Sequence, residues 1–361
     1  MILAVVKDPG GTNGVLPVVK VLRGESFKFD VRLIANGSAV KLLSDTTENY
    51  EALHSADEVS MRYPNPSIML TSMCSDGGVG RDLVPLLRGT CPTVAFHDYW
   101  GTRLFPEWHD PKYRPDFFVV NDELDANIVM GAWPDYKREQ FIVSGYPMFD
   151  QYAVKYDQTE LLTSISSRLG IDAANKPIVL SAYGIYKGVN KFLSEVIDVL
   201  NDLNLDIYFI PRFHPRMKLN VPEEVELCNQ VLKRFNGGTL VESSSACTTQ
   251  ELLRASTVVL SDYSTTLLEA TLLRKPNISA CYLEEIKVNY QVEFGTVQKW
   301  MPDPPFVMLG CSAKAVDKIS LGQHLSDAIH GKLNLKSAQE KYFALDGQNA
   351  KRAAEKIASL I

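Results

Sequence analysis

Several features common in other protein classes are missing from this sequence. It has no run of about 20 apolar residues, the length that a membrane-spanning helix needs. Its six cysteines form no Cys-x-x-Cys pair and have no histidine at zinc-finger spacing. The apolar segment 1–6 is too short for a signal peptide, and its charged residues follow it. We therefore expect a cytoplasmic protein with reduced thiols and no structural zinc.

Nucleotide-binding and metal-binding motifs of the commonest kinds are also missing. The glycine-rich segment 6–14 lacks the Gly-Lys-Ser/Thr ending of a P-loop and does not fit Gly-x-Gly-x-x-Gly. Dedicated ATP or NAD binding is therefore disfavoured. No Asp-x-Asp element stands in a suitable position, so the sequence predicts neither a metal nor a resident cofactor.

Net charge and composition limit the class of protein and the partners that the sequence allows. The 37 basic and 43 acidic side chains give a net charge of -6, so nucleic acid is not a predicted partner. Hydrophobic residues make up 45% and charged residues 22% of the 361 residues, which is typical of a folded protein. At roughly 100 to 200 residues per domain, this length predicts about two domains.

Short apolar runs alternate with helical patterns, which is typical of parallel strands joined by helices in an α/β fold. In the first half, strands are predicted at 2–6, 31–35, 68–71, 93–97, 117–120 and 141–144. In the second half, they are predicted at 177–182, 206–210, 239–242, 257–261 and 277–281. The segment 145–157, rich in glycine, proline and aromatic residues, breaks this rhythm and predicts a domain junction. Two doubly wound halves imply a cleft lined by the loops after the strands.

A hydroxyl-rich turn follows the strand predicted at 257–261. Ser264 has the position of an N-cap residue for the next helix, and Thr265 and Thr266 add further hydroxyls. Free N–H groups and the helix dipole at such a turn favour a phosphate or diphosphate. Glu269 lies about one turn further, within reach of a sugar hydroxyl. The alternative is that Ser264 only caps the helix and the other three side chains are solvated.

Two further loops carry groups suited to anions. Arg212 and His214 lie in a proline-stiffened segment, where the guanidinium suits phosphate oxygens and the imidazole can donate to a diphosphate. The alternative is a helix-capping histidine with two solvated arginines, Arg212 and Arg216. Gly184 allows backbone N–H groups close to an anion and Lys187 adds positive charge, although glycine turns after strands are common.

These segments carry a family resemblance. The run SDYSTTLLEATLLRKPNI, with RFHPR upstream and DGQNAKRAAEKI near the C-terminus, resembles the nucleotide-binding half of GT-B glycosyltransferases. It is most similar to CDP-glycerol glycerophosphotransferases and related surface-polysaccharide enzymes. The resemblance implies a GT-B fold, in which two Rossmann-like doubly wound domains face each other across a cleft. Residues 1–155 would bind the acceptor, 156–335 would bind the nucleotide donor, and 336–361 would pack back across both as a helical segment.

The resemblance also assigns roles. It implies that His214 and the turn from Ser264 to Thr266 contact the donor's diphosphate, that Glu269 holds the ribose hydroxyls, and that Lys187 approaches the phosphates. The enzyme would transfer a sugar, or a polyol phosphate, from a nucleotide-activated donor. His214 and the turn would stabilise the departing nucleotide phosphate. The acceptor would be a carbohydrate or a lipid-linked molecule, with membrane association at most peripheral.

Loops of the first half would then serve the acceptor. Asp8, Gly10 and Gly11 follow the first strand and Ser72 follows the third, so we expect them to border the cleft. The alternative is a glycine-rich turn needed only to fit the first helix.

A third loop of this half supplies candidate bases. His97 or Asp98 would serve as the base for an attacking hydroxyl, and Tyr99 would stack on a sugar. Equally, His97 and Asp98 would pair with each other and fix the loop.

Two other functions compete with a transferase. A UDP-N-acetylglucosamine 2-epimerase shares the fold, but the double glutamate of that family appears here as Leu268-Glu269, so the acid–base pair is incomplete. A nucleotide-sugar-binding protein without catalytic activity is the other alternative, because the base in the first half is not identified by sequence alone.

Overall fold

The computed structural model describes residues 1–74, 77–97, 99–100, 106–214, 216–242, 246–343 and 345–361. The chain forms two units. Unit 1 comprises Met1–Val154, Thr296–Met301 and Leu345–Ile361, and unit 2 comprises Lys155–Gly295 and Pro302–Ala344. Within the described residues, no helix is both long and apolar enough to cross a membrane.

The strands are short and mostly buried. In chain order they are β1 Ile2–Val6, β2 Val31–Ala35, β3 Glu51–Ala52, β4 Ile68–Ser72, β5 Thr93–Phe96, β6 Phe117–Val120, β7 Phe141–Val143, β8 Ile178–Tyr183, β9 Tyr208–Phe213, β10 Thr239–Leu240, β11 Val258–Ser261, β12 Asn277–Ser279 and β13 Ala313–Lys314.

Helices connect most of the strands. In chain order they are α1 Pro9–Arg23, α2 Ser38–Ser44, α3 Ala56–Arg62, α4 Val79–Leu87, α5 Glu123–Ala132, α6 Gln158–Leu169, α7 Val189–Leu203, α8 Met217–Asn220, α9 Pro222–Leu232, α10 Thr249–Ala255, α11 Thr265–Leu272, α12 Glu284–Phe294, α13 Pro305–Met308, α14 Lys318–Ile329, α15 Lys336–Tyr342 and α16 Asn349–Ala358.

Each unit contains one parallel sheet with the same winding. The order is β3-β2-β1-β4-β5-β6-β7 in unit 1 and β10-β9-β8-β11-β12-β13 in unit 2. In both sheets the strand order reverses direction beside the first strand, between β1 and β4 and between β8 and β11. Open α/β sheets bind ligands at such a switch point, outside the carboxyl ends of the strands. The predicted α/β class is confirmed.

The cores lie between the sheets and the helices that cover them. Helix α7 buries Phe192, Leu193, Val196, Ile197 and Leu200, a spacing of three and four residues that places them on one face. In unit 1, α16 contributes Ala353, Ala354 and Ile357 to the cluster formed with β1 and α1. The last helix is therefore part of the core of unit 1.

Two strands were not predicted, and one predicted loop is a strand. The missed strands, β3 and β13, have two residues each and lie at sheet edges. The sequence predicts that this strand ends before Pro211, whereas β9 continues through Arg212 to Phe213. Proline is tolerated there because the pairing of β9 with β10 lies at Tyr208 and Phe209, before Pro211.

Candidate active site

Three neighbouring strands of unit 2 end at the same level, which brings their following loops together. Tyr183 of β8 pairs with Phe213 of β9, and Leu260 of β11 pairs with Ser181 of β8. Asp262 is therefore level with Tyr183 and Phe213. Because adjacent strands lie about 4.8 Å apart, the loops after β9 and β11 are separated by roughly 10 Å across β8.

The hydroxyl-rich turn after β11 caps α11 as its sequence predicts. The Ser264 hydroxyl accepts the backbone N–H of Thr266 at 3.2 Å and donates to the Thr266 hydroxyl at 3.1 Å. Thr265 is exposed, and Glu269 lies one turn further along the same face. The N-cap side chain is therefore neutral, and the first turn of α11 contains no acidic residue.

Asp262 was not selected from the sequence. Its carboxylate accepts hydrogen bonds from the backbone of this turn. Its Oδ1 accepts the backbone N–H groups of Tyr263 at 2.6 Å and Ser264 at 3.1 Å. Its Oδ2 is buried and has no hydrogen-bond partner among the described residues. Burial raises the pKa of this carboxyl above its ordinary value, while the nearby Tyr186 hydroxyl and then the backbone donors act in the opposite direction.

His214 stands at the end of β9 with one imidazole nitrogen already engaged. Its backbone N–H donates to the Tyr183 carbonyl at 3.2 Å, and its Nδ1 accepts the backbone N–H of Arg216 at 3.1 Å. Burial, followed by the charge of Arg216, lowers the pKa of His214. Neutral His214 therefore carries its proton on Nε2, which is a hydrogen-bond donor for an anion. Arg212, within β9, donates to the Thr249 hydroxyl at 3.3 Å.

The loop after β8 differs from its prediction as an anion site. Both carboxylate oxygens of the buried Glu224 accept backbone N–H groups at the start of α7, from Gly188 at 2.9 Å and Asn190 at 3.2 Å. An internal carboxylate thus occupies the position predicted for phosphate. Lys187 is exposed and lies 3.7 Å from Glu223, and Gly184 packs beside the Tyr186 ring.

The glycine-rich loop after β1 is likewise capped from within. Asp8 Oδ1 accepts the backbone N–H of Gly11 at 2.7 Å at the start of α1. Gly11 packs against Ser72, since an added Cβ would lie 1.8 Å from the Ser72 Oγ. The Gly10 carbonyl accepts the Tyr146 hydroxyl at 2.7 Å. These contacts favour the alternative in which the glycines fit the first helix to the sheet.

An open cavity lies beside that loop, at the same edge of the sheet in unit 1. It has a volume of about 560 Å³ and is lined by Lys7, Asn36, His54 and Gly78, among other residues. The stem of Lys7 runs between two glycines with positive φ, Gly37 and Gly78. A side chain at either glycine would contact that stem, so the glycines allow the lysine to lie along the cavity wall.

His97 is buried at the end of β5 and pairs with Asp125, a residue that the sequence analysis did not select. The His97 Nδ1 and Asp125 Oδ1 atoms lie 3.0 Å apart, with both side chains fully buried. The His97 Nε2 has no hydrogen-bond partner among the described residues. Asp98, the other predicted base, lies outside the described residues. The structure thus gives His97 a carboxylate partner from α5.

Tyr99 and Trp100 pack edge to face with ring centroids 5.5 Å apart. Tyr99 is 8% exposed, so the predicted stacking of its ring on a sugar is not supported. The Trp100 Nε1 donates to the Asp122 carboxylate at 3.0 Å. Asp122 also caps α5, and burial raises its pKa to about 6.

Three of the residues that sequence reasoning missed come after the same strand. Asn121 and Asp122 directly follow β6, which lies beside β5 in the sheet, and Asp125 lies in the first turn of α5, the helix that comes next. The rule that selected His97, a polar residue after a strand, selects Asn121 and Asp122 as well. Glu224 gave no such signal, because it lies on α9 and reaches the start of α7 only in the folded chain.

The described residues contain no cluster of metal-ligating side chains. In the ranges described above, no three His, Cys, Asp or Glu side chains lie together as a metal site. All six cysteines are free thiols.

The comparisons with known proteins agree with this arrangement. Residues 101–361 match the family model of the CDP-glycerol:poly(glycerophosphate) glycerophosphotransferases. None of the curated proteins compared with the chain matches it.

Solved structures share the fold at low sequence identity. The wall teichoic acid polymerase TagF is 12% identical with a TM-score of 0.58, over 99% of this chain and 88% of that one. S. aureus MnaA, solved with UDP, is 15% identical with a TM-score of 0.67, over 100% and 97%. The UDP-GlcNAc 2-epimerase from Methanocaldococcus jannaschii is 14% identical with a TM-score of 0.66, over 99% and 100%. The predicted GT-B fold is confirmed.

Proposed function

The chain belongs to the CDP-glycerol:poly(glycerophosphate) glycerophosphotransferase family, and we propose that it transfers a polyol phosphate from a nucleoside diphosphate donor to an acceptor hydroxyl. The acceptor oxygen attacks the phosphorus that carries the polyol. The bond from that phosphorus to the nucleotide phosphate breaks, and a nucleoside monophosphate leaves. A base takes the proton of the hydroxyl. Transfer of a sugar from a nucleotide sugar is the related alternative.

One observation carries the donor site. Within unit 2, the two helices that begin at the switch point differ in their caps: the carboxylate of Glu224 caps α7, whereas the Ser264 hydroxyl caps α11. A carboxylate cap neutralises the positive helix end and repels a phosphate, while a hydroxyl cap does neither. The N-terminus of α11 is therefore the one of these two that suits a diphosphate.

His214 supports the same assignment. His214 directly follows β9, and the turn that contains Ser264 follows β11. The register of the sheet places these two strand ends at the same level. A donor aimed at the bridging and leaving oxygens of a diphosphate stabilises the charge that develops as the nucleotide departs. Glu269, on the same face of α11 as Thr265 and Thr266, would hold the ribose hydroxyls.

The acceptor belongs to unit 1 in this proposal. The cavity beside Lys7 offers a cation and several polar groups for a phosphate-bearing or carbohydrate acceptor. An acceptor linked to a lipid would bring a cytoplasmic enzyme to a membrane surface only peripherally. The product would be part of a bacterial surface polymer.

Ligand binding and release of the nucleotide test the proposal. The protein is screened by thermal shift with CDP-glycerol, CDP, CMP, UDP and UDP-GlcNAc, since a ligand of the native state raises its apparent stability. The donor that binds is then assayed for release of the nucleoside monophosphate in the presence of a glycerol phosphate oligomer. Binding without transfer or hydrolysis would favour a binding protein, and conversion of UDP-GlcNAc to its 2-epimer would favour an epimerase.

Two substitutions of His214 refine the test. His214→Gln keeps an N–H donor near the position of Nε2, while His214→Ala removes it. We expect the alanine variant to lose more donor affinity than the glutamine variant. Equal affinity in both variants and the wild type would remove His214 from the donor site.

A further inference from the structure

We propose that Asp125 is a positioning residue that holds His97 in the Nδ1–H tautomer, so that Nε2 is the base for the acceptor hydroxyl. This inference rests on the proposed transfer reaction. The hydroxyl proton moves to Nε2 as its oxygen attacks the phosphorus, the nucleotide phosphate leaves, and the carboxylate of Asp125 stabilises the imidazolium that forms.

The hydrogen bonds around Asp125 set the tautomer. Its Oδ1 lies 3.0 Å from the His97 Nδ1, and its Oδ2 accepts the backbone N–H of Asn121 at 3.2 Å and the Asn121 amide at 3.4 Å. An ionised carboxylate only accepts, so the proton of neutral His97 must lie on Nδ1. The lone pair of the imidazole is then on Nε2.

The surroundings of Nε2 indicate a use for that lone pair. The atom is buried and has no partner among the residues that the structure describes. Leaving a buried polar atom unpaired costs on the order of 1–3 kcal/mol. The His97 ring packs edge to face against Phe118, whose ring centroid lies 5.0 Å away. An arrangement that pairs one nitrogen with a buried carboxylate and gives the other no partner in the described part of the chain suits a general base better than a purely structural histidine.

The fixed N–H of Asn121 makes Asp125→Asn an informative variant. The Asn121 backbone N–H still needs an acceptor, so the amide oxygen of the new asparagine turns towards it. The amide nitrogen then faces His97 and donates to Nδ1. The imidazole proton is forced onto Nε2, which removes the base while the shape of the side chain is nearly unchanged.

The first measurement is the tautomer itself. Two-bond ¹H–¹⁵N correlation spectra of the histidine-labelled protein distinguish the two neutral forms, and His97→Gln identifies the His97 signals. We expect the Nδ1–H form in the wild type and the Nε2–H form in Asp125→Asn. An Nε2–H tautomer in the wild type would overturn the proposal, even if the variant failed to fold.

The second measurement is transfer kinetics. With the donor identified in the screen, Asp125→Asn should lower kcat on the order of 10³–10⁴-fold and leave the KM for the donor nearly unchanged. Asp116→Asn is the matched control. Asp116 accepts the Thr93 backbone N–H at the opposite, amino end of β5, so its variant should lose stability but keep kcat.

The outcomes separate this inference from the proposed function. Transfer that persists in Asp125→Asn at the wild-type kcat overturns the positioning role alone. Absence of transfer by the wild type with every donor overturns the proposed function, and the tautomer spectra still decide whether Asp125 sets the state of His97.

Discussion

At the scale of single residues, Asp122 is an ionisable group held where ionisation is unfavourable. Burial raises its pKa to about 6 from 3.8. A raised folded-state pKa means that its stabilising contribution is complete below the unfolded value and is lost as pH rises towards 6. Asp122→Asn keeps the shape and an acceptor for Trp100 but removes the titration. Relative to the wild type, we expect this variant to gain up to about 3 kcal/mol in free energy of unfolding between pH 4 and pH 7.

Urea unfolding of both proteins across that pH range measures the difference. The comparison cancels the titration of all other groups, since only residue 122 differs. Parallel curves for the wild type and Asp122→Asn would contradict the assigned burial effect.

Ser264 combines a structural and a binding role, and a matched variant separates them. Ser264→Ala removes the cap of α11 and should cost about 1 kcal/mol of stability. Because the hydroxyl also lies where the diphosphate is proposed to bind, donor affinity should fall about tenfold, as expected for loss of one hydrogen bond to a charged group.

Asp157→Ala provides the control for Ser264. Asp157 caps α6 in the same unit through the backbone N–H groups of Thr159 and Glu160. The control should lose similar stability without any change in the donor Kd measured by calorimetry. Equal Kd values for Ser264→Ala and the wild type would place the diphosphate elsewhere.

At the scale of elements, the carboxylate of Glu224 binds the backbone N–H groups at the start of α7, in the loop that the sequence predicts to bind phosphate. Glu224→Ala leaves the N–H groups of Gly188 and Asn190 without their acceptor and should cost about 1–3 kcal/mol. Lys187→Ala should change neither stability nor donor affinity, because Lys187 is exposed and its partner Glu223 is exposed as well.

Glu223→Ala is the control for position 224, one residue away on the same helix. Thermal unfolding and donor titration of the three variants test the assignment. A large loss of donor affinity in Lys187→Ala with unchanged stability would restore the loop after β8 as a phosphate site.

The contact between α1 and β4 is another feature of elements that the sequence does not reveal. Gly11→Ala places a Cβ 1.8 Å from the Ser72 Oγ and should destabilise unit 1 by about 1–3 kcal/mol. Adding Ser72→Gly removes both atoms of that clash, so the double variant should be more stable than Gly11→Ala alone. A double-mutant cycle of unfolding free energies measures this coupling, and additive effects would contradict the contact.

The positions of most elements follow from the sequence, for identifiable reasons. Buried parallel strands such as β1 and β11 are continuous apolar runs, and caps such as Ser264 and Thr248 mark where helices begin. The strands that were missed, β3 and β13, have two residues each and too little pattern to detect. Apolar runs and N-cap residues therefore locate the strands and helices that are long enough to show a pattern.

The candidate site is less accessible from the sequence because its chemistry depends on distant partners. His97 is visible as a residue after a strand, but its pairing with Asp125 requires that β5 and β6 be neighbours. Asp8 is a residue of a glycine-rich loop in the sequence, and only the fold shows that it caps that loop. Carboxylates such as Asp8 and Glu224 already accept backbone N–H groups that the sequence predicts to bind a ligand. The sequence does not reveal these contacts, so it does not distinguish which loops have N–H groups available.

At the scale of the whole molecule, unit 1 is assembled from both ends of the chain. The carboxylate of Asp150 accepts the backbone N–H groups of Asn349 at 2.9 Å and Ala350 at 2.8 Å at the start of α16. The helix then packs on α1 through Ala353 and Ile357. The last residues of the sequence are therefore needed to complete a core that begins at Ile2.

Ile357→Ala tests this assembly. Ile357 is fully buried, so the truncation should cost about 2–5 kcal/mol through the lost apolar contact and the cavity that remains. Ile361→Ala, in the same terminal segment but at a half-exposed side chain, should cost almost nothing. Hydrogen exchange followed by mass spectrometry locates the effect: the amides of β1 and α1 should lose protection in Ile357→Ala, while those of β8 and β11 keep theirs. Loss confined to α16 itself would mean that the helix rests on unit 1 without supporting its core.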